Sequence, residues 1–251
     1  MFSDLLRGAR YLLTGLGLLW RPRVRTFVLV PLGISAVVFT GGIWLTGHWI
    51  GALTDQLMQH IPQWMAWLRY LVWPLFALLA LVIVFFGFNL VANLAGAPFN
   101  GWLAEAVERH LIGSTQAPPM SWQQVMVEMG AIMRAELRKI LYFALWSVPL
   151  LLILFIPVIG PLLWFFWGAW TFACNYADYP MGNHGLKFPD QRRILARRRA
   201  MAIGFGMASL LLTLIPLLNF LAMPASVAGM TALYLTELQT GTAPARPQAE
   251  S

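Results

Sequence analysis

Residues 21–50 read RPRVRTFVLVPLGISAVVFTGGIWLTGHWI, so three arginines precede an uncharged apolar run that starts at Phe27. The run from Phe27 to Ile50 is long enough to cross the ~30 Å hydrocarbon core of a bilayer as a helix. Pro22 suits the first turn of that helix because proline has no N–H to leave unpaired and its φ is already helical. Free N–H groups and arginines at one helix N-terminus favour an anion site, but arginines there are also typical of the cytoplasmic side of any membrane protein. On these residues alone both interpretations stay open.

The composition is that of a membrane protein. Hydrophobic residues make up 59% of the 251-residue chain and charged residues 11%, whereas soluble domains have about 45–50% and about 25%. A net charge of +7 would suit nucleic acid, but the basic residues cluster beside apolar runs, which is the pattern that orients membrane proteins. Nucleic acid is therefore not expected as a partner. Cys174, the only cysteine, lies in an apolar segment, so we expect no intrachain disulfide and no cysteine-based metal site.

Two long and two amphipathic helices are predicted from the distribution of apolar residues. Residues 2–20 repeat apolar side chains at helical spacing with charges elsewhere, which indicates an amphipathic interfacial helix and not a signal peptide. Long transmembrane helices are predicted over residues 22–50 and 70–111, the second being longer than a crossing needs. A second amphipathic helix is predicted over residues 121–139. Residues 240–251 are predicted to form a flexible tail.

Two further apolar segments are interrupted by proline. Residues 140–177 are broken at Pro157 and residues 200–237 at Pro216, which leaves halves of about 16 residues where a crossing needs about 20. Paired, short, proline-interrupted segments point to transport sites. They fit either four thin transmembrane helices or two hairpins that enter and leave by one face. The basic residues place both termini and both large loops in the cytoplasm, and this agrees with both arrangements.

No catalytic constellation is visible in the sequence. The four histidines are dispersed, without carboxylates or cysteines at the spacing of metal ligands. The chain lacks a Gly-Lys-Ser/Thr phosphate loop and a nucleophile elbow. We therefore expect neither an enzyme nor a bound metal or cofactor.

One face of the second long helix carries amides. Asn89, Asn93 and Asn100 follow i, i+4, i+11 spacing and so share a face, which should meet another helix or water because amides are costly in lipid. They either form interhelical hydrogen bonds or line an anion path, and the spacing favours neither. Glu105 and Arg109 form an i, i+4 pair beyond them, near the cytoplasmic end of this candidate path.

A second basic cluster lies between the two proline-broken segments. Its pattern favours a role in membrane orientation and contact with anionic headgroups. The cluster consists of Arg192, Arg193, Arg197, Arg198 and Arg199.

Several separate blocks of the chain resemble the CysZ family of bacterial sulfate transporters. The resemblance covers nearly the whole chain, and its blocks are PRVRTFVLVPL at 22–32, APFNGWLAE at 97–105, DYP at 178–180, NH at 183–184, IPLLN at 215–219 and MP at 223–224. It implies sulfate uptake across the bacterial inner (cytoplasmic) membrane to supply cysteine biosynthesis. It also implies two long transmembrane helices with two partly penetrating hairpins, assembled as homo-oligomers.

The resemblance further implies where sulfate binds. The family's sulfate-binding element is a Gly-Leu/Ile-Arg sequence, often followed by another basic residue, before the first long helix. It corresponds here to Arg23, Val24 and Arg25, with Thr26 next. Arg23 replaces the glycine and Thr26 stands where a second arginine is common, so Arg25 is the position that matches. The forked donors of arginine suit a tetrahedral oxyanion.

Together these features favour an all-α integral membrane protein that acts as an ATP-independent sulfate permease or channel in the lipid bilayer. Whether uptake is coupled to protons stays open, although the two long helices carry no carboxylate within their apolar spans. The alternative is a membrane scaffold or remodelling protein without transport activity, since amphipathic helices also serve that role.

Overall fold

The computed structural model describes residues 1–59, 67, 69–114 and 122–239, and the predicted tail at 240–251 lies outside them. These residues are helical almost throughout, with no strand among those described, which confirms the all-α class. In chain order the helices are α1 Phe2–Leu19, α2 Pro22–Gln59, α3 Arg69–Ile112, α4 Trp122–Ile153, α5 Ile159–Asn183, α6 Phe188–Arg197, α7 Arg199–Thr213, α8 Pro216–Leu233 and a π-helical turn, Tyr234–Leu238.

The two longest helices exceed what a membrane crossing requires. At 1.5 Å per residue, the 38 residues of α2 extend about 57 Å and the 44 residues of α3 about 66 Å, against a hydrocarbon core of ~30 Å. α2 continues to Gln59, beyond the predicted end at residue 50, and Pro31 lies inside it. Both helices therefore have room to tilt or to project beyond the bilayer.

Much of α2 is exposed although it is apolar. Among the described residues, Pro22–Leu53 and Leu218–Leu238 are long and apolar enough to cross a membrane. Only 6% of the most apolar part of the first is buried within the protein, whereas 67% of the second is buried. A continuous apolar surface of this kind is not stable in water and marks a contact with lipid or protein. The fold is therefore that of a helical membrane protein.

The chain divides into two compact units, one made of Met1–Arg25 with the chain from Asn100 onward and the other of Thr26–Phe99. In the first unit α1 lies against α7 and α8, and α5 packs against the same two helices. The backbones approach very closely: a Cβ added at Gly15 would lie 2.1 Å from the Ala225 carbonyl oxygen. Side chains without any exposed surface fill the space between these helices, among them Ala177, Met181, Phe205, Met230 and Leu233.

The first proline-broken segment begins differently from the prediction. α4 runs without interruption from Trp122 to Ile153, so the predicted amphipathic helix and the first half of the hairpin are one helix. Neither glycine nor proline stands near residue 140, so nothing ends the helix there. In the turn to α5, Val158 has a φ of +68°, a left-handed conformation that a β-branched residue rarely adopts.

The second proline-broken segment has halves of unequal length. Within α8 and the π-helical turn that follows it, the apolar stretch Leu218–Leu238 has 21 residues. It is longer than the predicted half and sufficient for a crossing. The loop that carries the second basic cluster contains α6, a helix that was not predicted. Proline stands in the first turn of both α6 and α8, where its missing N–H costs nothing.

Candidate anion-binding site

The first turn of α2 follows α1 after a link of two residues. The Arg21 N–H donates to the Leu18 carbonyl at 3.0 Å, which closes the end of α1. The Arg21 carbonyl then accepts the N–H groups of Val24 and Arg25, each at 2.9 Å. Arg21 therefore joins the two helices through its backbone, and the position of the α2 N-terminus is set by the position of α1.

The side chains of this turn differ in how far they are buried. Val24 has no exposed surface, whereas Arg21, Arg23 and Arg25 are exposed. Because successive residues of a helix are about 100° apart, a buried Val24 directs its two neighbours to the flanks of the exposed side. Thr26, the first residue of the second unit, is also exposed. The structure therefore presents Arg23 and Arg25 to the surroundings with the turn anchored between them.

Few backbone donors remain at this helix end. Pro22 has no N–H, and the Arg21 carbonyl takes up those of Val24 and Arg25. In the part of the chain that the structure describes, Arg23 is the one residue of this turn whose N–H has no hydrogen-bond partner. The donors that this turn offers to its surroundings are therefore mainly the side chains of the two arginines.

At the end of α3 that lies in the first unit, hydrogen bonds connect residues from three of the sequence blocks. Asn100 is buried and donates to the Met223 sulfur at 3.6 Å. The Asn183 amide donates to the Gly101 carbonyl at 2.9 Å. These bonds connect α3 with α5 and α8, so Asn100 makes an interhelical hydrogen bond.

The other residues of the candidate path are distributed along the same helix. The side chains of Asn89 and Asn93 lie outside the described part of the structure. Glu105 and Arg109 form the i, i+4 ion pair that their spacing predicts, with the arginine about half exposed. Asn100 is in position to join α3 to its neighbours, and Glu105 and Arg109 follow it toward the helix end.

A buried hydrogen-bonded pair of side chains that the sequence did not indicate links α3 to the end of α5. Nε2 of His184 lies 3.0 Å from Oε1 of Glu108, and the two side chains are 7% and 3% exposed. The Tyr234 ring packs edge-on against the His184 ring, with centroids 5.3 Å apart. A carboxylate is stable at this depth only with such partners, so the pair fixes the relative positions of α3, α5 and the π-helical turn.

A second polar cluster joins α4, α5 and α6. Nζ of Lys139 lies 2.6 Å from Asp178, and the buried Gln191 amide donates to the same carboxylate at 2.9 Å and to the Leu186 carbonyl at 2.8 Å. Burial disfavours the Lys139 ammonium, but the Asp178 carboxylate outweighs that effect and raises the pKa of Lys139. Sequence reasoning missed Glu108 and Lys139 because their partners, His184 and Asp178, are distant along the chain, and it missed Gln191 because it did not predict α6.

An all-α chain with an exposed apolar helix long enough to cross a bilayer is a helical membrane protein. It belongs to the family described as Sulfate transporter CysZ/Etoposide-induced protein 2.4, whose model matches residues 11–224. This confirms the resemblance that the sequence blocks carry.

Proteins named Sulfate transporter CysZ are similar to this chain over most of its length. The protein of Pseudomonas fluorescens is 40% identical over 240 residues, which cover 94% of this chain and 96% of the relative. The protein of Pseudomonas aeruginosa is 42% identical over 239 residues, 92% of this chain and 96% of the relative. The protein of Salmonella typhimurium is 36% identical over 232 residues, 91% of each chain.

Proposed function

We propose that this protein takes up sulfate across the bacterial inner membrane, as a multi-pass, ATP-independent permease or channel that supplies cysteine biosynthesis. Family membership and the names of its relatives support the substrate. The exposed apolar surface of α2 supports the membrane location. The observation that carries the proposal is the first turn of α2, where the buried Val24 stands between the exposed Arg23 and Arg25.

Capture of sulfate is assigned to Arg23, Val24, Arg25 and Thr26, with a different role for each. The two guanidinium groups donate to the anion, since their planar forks match tetrahedral oxyanions. Val24 anchors the turn, and the Thr26 hydroxyl is a further donor. Arg23 replaces the family glycine but keeps a backbone N–H that has no partner in the described part. An exposed site lets sulfate retain part of its hydration, which suits reversible capture before conduction.

The proposed path continues along α3 past Asn89, Asn93 and Asn100, with Glu105 and Arg109 near its cytoplasmic end. A substitution at Asn100 distinguishes a lining role from a purely adhesive one, because this buried amide donates to Met223 of α8. If its role is adhesive, Asn100→Ala lowers the unfolding temperature and leaves sulfate flux per folded molecule unchanged. A lining role predicts a loss of flux in the protein that remains folded.

Calorimetric titration of the detergent-purified protein with sodium sulfate tests the capture site. A hydrogen bond to a charged group contributes about 1.5–3 kcal/mol, so Arg25→Ala should weaken sulfate binding by roughly 10- to 150-fold. Arg10→Ala is the matched control, because Arg10 is an exposed arginine of α1 outside the turn. Equal sulfate affinity in Arg25→Ala and the control would overturn the assignment.

Flux of radiolabelled sulfate into vesicles that contain only this protein distinguishes transport from the scaffold alternative. A scaffold is favoured by the apolar stripe on α1, where Phe2, Leu6, Leu13 and Trp20 are exposed at helical spacing. It predicts no flux above that of empty vesicles. An imposed pH gradient in the same assay decides whether uptake depends on protons.

Assembly as a homo-oligomer and partial penetration of the hairpins belong to the same proposal. Phe155 and Val158 at one hairpin turn and Leu214 at the other are exposed apolar side chains, which need lipid or another subunit around them. Light scattering of the protein in detergent measures the number of subunits, and a monomer at all concentrations would contradict assembly.

A further inference from the structure

A small basic cleft lies at the corner between α6 and α7, away from the first turn of α2. Its volume is about 170 Å³, and it is lined by Asp4, Arg197, Arg198, Arg199, Ala200 and Met201. Its walls are fixed by close backbone contact, since a Cβ added at Gly8 would lie 2.0 Å from the Met201 carbonyl oxygen. The first turn of α1 therefore holds Asp4 beside the arginines in a defined position.

The charges around the cleft leave it positive. Three guanidinium groups and one carboxylate form its lining. Glu237 also faces Arg198, at 3.5 Å, but the same carboxylate binds Arg7 at 2.6 Å. Asp4 in turn lies 3.4 Å from the N-terminal ammonium of Met1, so the cleft keeps an excess of positive charge.

The size of the cleft limits what it can hold. Pockets for drug-sized ligands have volumes of about 300–1,000 Å³, whereas a water molecule occupies ~30 Å³ of liquid. A volume of about 170 Å³ suits a tetrahedral oxyanion with a few waters and excludes a nucleotide.

The position of Asp4 on α1 indicates that the cleft opens to water and not to lipid. Asp4 is two positions from both Phe2 and Leu6, so it lies about 160° around the helix from these exposed apolar residues. If the apolar stripe faces the bilayer, as in an interfacial helix, the cleft faces the aqueous side.

We propose that the cleft at the α6–α7 corner is a second oxyanion site, which binds a free dianion such as sulfate or hydrogenphosphate from the aqueous phase. Arg199 donates to the anion, Arg198 is shared with Glu237, and Asp4 limits the affinity by repulsion. The site is independent of sulfate capture at the first turn of α2.

Full-length protein carrying Arg25→Ala is titrated with sodium sulfate and with sodium phosphate, because this substitution weakens the first site and makes the second easier to detect. Arg199→Gln should weaken anion binding and Asp4→Asn should strengthen it, each by about three- to fivefold, as expected for one exposed charge. The control is Arg193→Gln, because Arg193 lies on the same basic loop but pairs with Asp190 outside the cleft. Opposite effects of two neighbouring substitutions are not produced by a general loss of structure.

Short-chain phosphatidylglycerol serves as the second probe, to separate a free anion from a lipid headgroup. If the lipid binds through Arg199 and the inorganic anions do not, a free dianion is not the ligand and the proposal fails. Equal affinities in Arg199→Gln, Asp4→Asn and the control would show an adventitious ion only. Complete loss of sulfate binding in Arg25→Ala would also exclude the second site, while it would support the capture site on α2.

Discussion

Gly15 lies where the backbone of α1 meets that of α8, and Gly15→Ala is expected to push these helices apart. The added Cβ would lie 2.1 Å from the Ala225 carbonyl oxygen and 2.6 Å from the Gly229 nitrogen. Both are backbone atoms, so no side-chain rotation relieves the overlap, and α1 has to retreat by more than about 1.3 Å to reach ordinary contact distance.

The cost follows from two opposing terms. Overpacking of a tight helix contact costs about 1–3 kcal/mol, whereas replacing glycine by alanine within a helix gains roughly 1 kcal/mol. The overlap here is with rigid backbone, so we expect a net loss near 2 kcal/mol or about 4–8 °C in unfolding temperature. Because α1 sets the position of the α2 N-terminus through Arg21, sulfate affinity should fall as well.

Gly17→Ala is the matched control for this experiment. Gly17 lies on the same helix, and a Cβ there would meet nothing within 4 Å among the described atoms. The same substitution should therefore leave stability unchanged or raise it slightly. Thermal unfolding of both variants in detergent, followed by helical circular dichroism, gives the comparison. Equal unfolding temperatures would refute the close contact between α1 and α8.

Three further substitutions test other parts of the structure. His184→Ala should destabilise the protein by about 3 kcal/mol, because Glu108 loses a partner at a buried position, and unchanged unfolding temperature would contradict this. Val158→Cys should resist a membrane-impermeant maleimide added outside if its hairpin penetrates only partly. Ala52→Cys, at an exposed position of α2 beyond the predicted end of the first span at residue 50, should react. Labelling of both would show a full crossing. Lys139→Met should lower the unfolding temperature by the same amount at about pH 7 and at about pH 9. The Asp178 carboxylate raises the pKa of Lys139 above its ordinary value of 10.5, so the ammonium is charged throughout this range. An effect that disappears within this range would exclude the ion pair.

Composition and sequence blocks were sufficient to predict the all-α membrane class and the family. Apolar content over long stretches is a property of local sequence, and so is the proline at the start of α2. Helix ends are harder to predict, since the change from amphipathic to apolar sequence near residue 140 alters the surroundings of α4 without ending it. α6 was missed because its arginines resemble a solvated loop, although Pro189 marks its first turn.

The polar clusters could not be predicted because tertiary structure forms them. Glu108 and His184 are far apart in sequence, and so are Lys139 and Asp178. No local periodicity connects such pairs. Burial alone requires them, since a carboxylate enclosed between helices must find a partner. Asn100 is different, because its position on a helix face did indicate a contact with another helix or with water, and its hydrogen bond to Met223 of α8 is a contact of the first kind.

The arginines before the first long helix differ in what holds them in place. This difference helps to decide whether each arginine orients the protein in the membrane or binds the anion. Orientation requires only positive charge on one side of the membrane and is indifferent to exact geometry. Binding requires donors that are held in position before the anion arrives. Arg21 contributes its backbone to the link between α1 and α2, whereas Arg25 follows directly after Val24, which is fully buried. Preorganisation therefore favours Arg25 as a binding residue, and orientation alone accounts for the charge of Arg21.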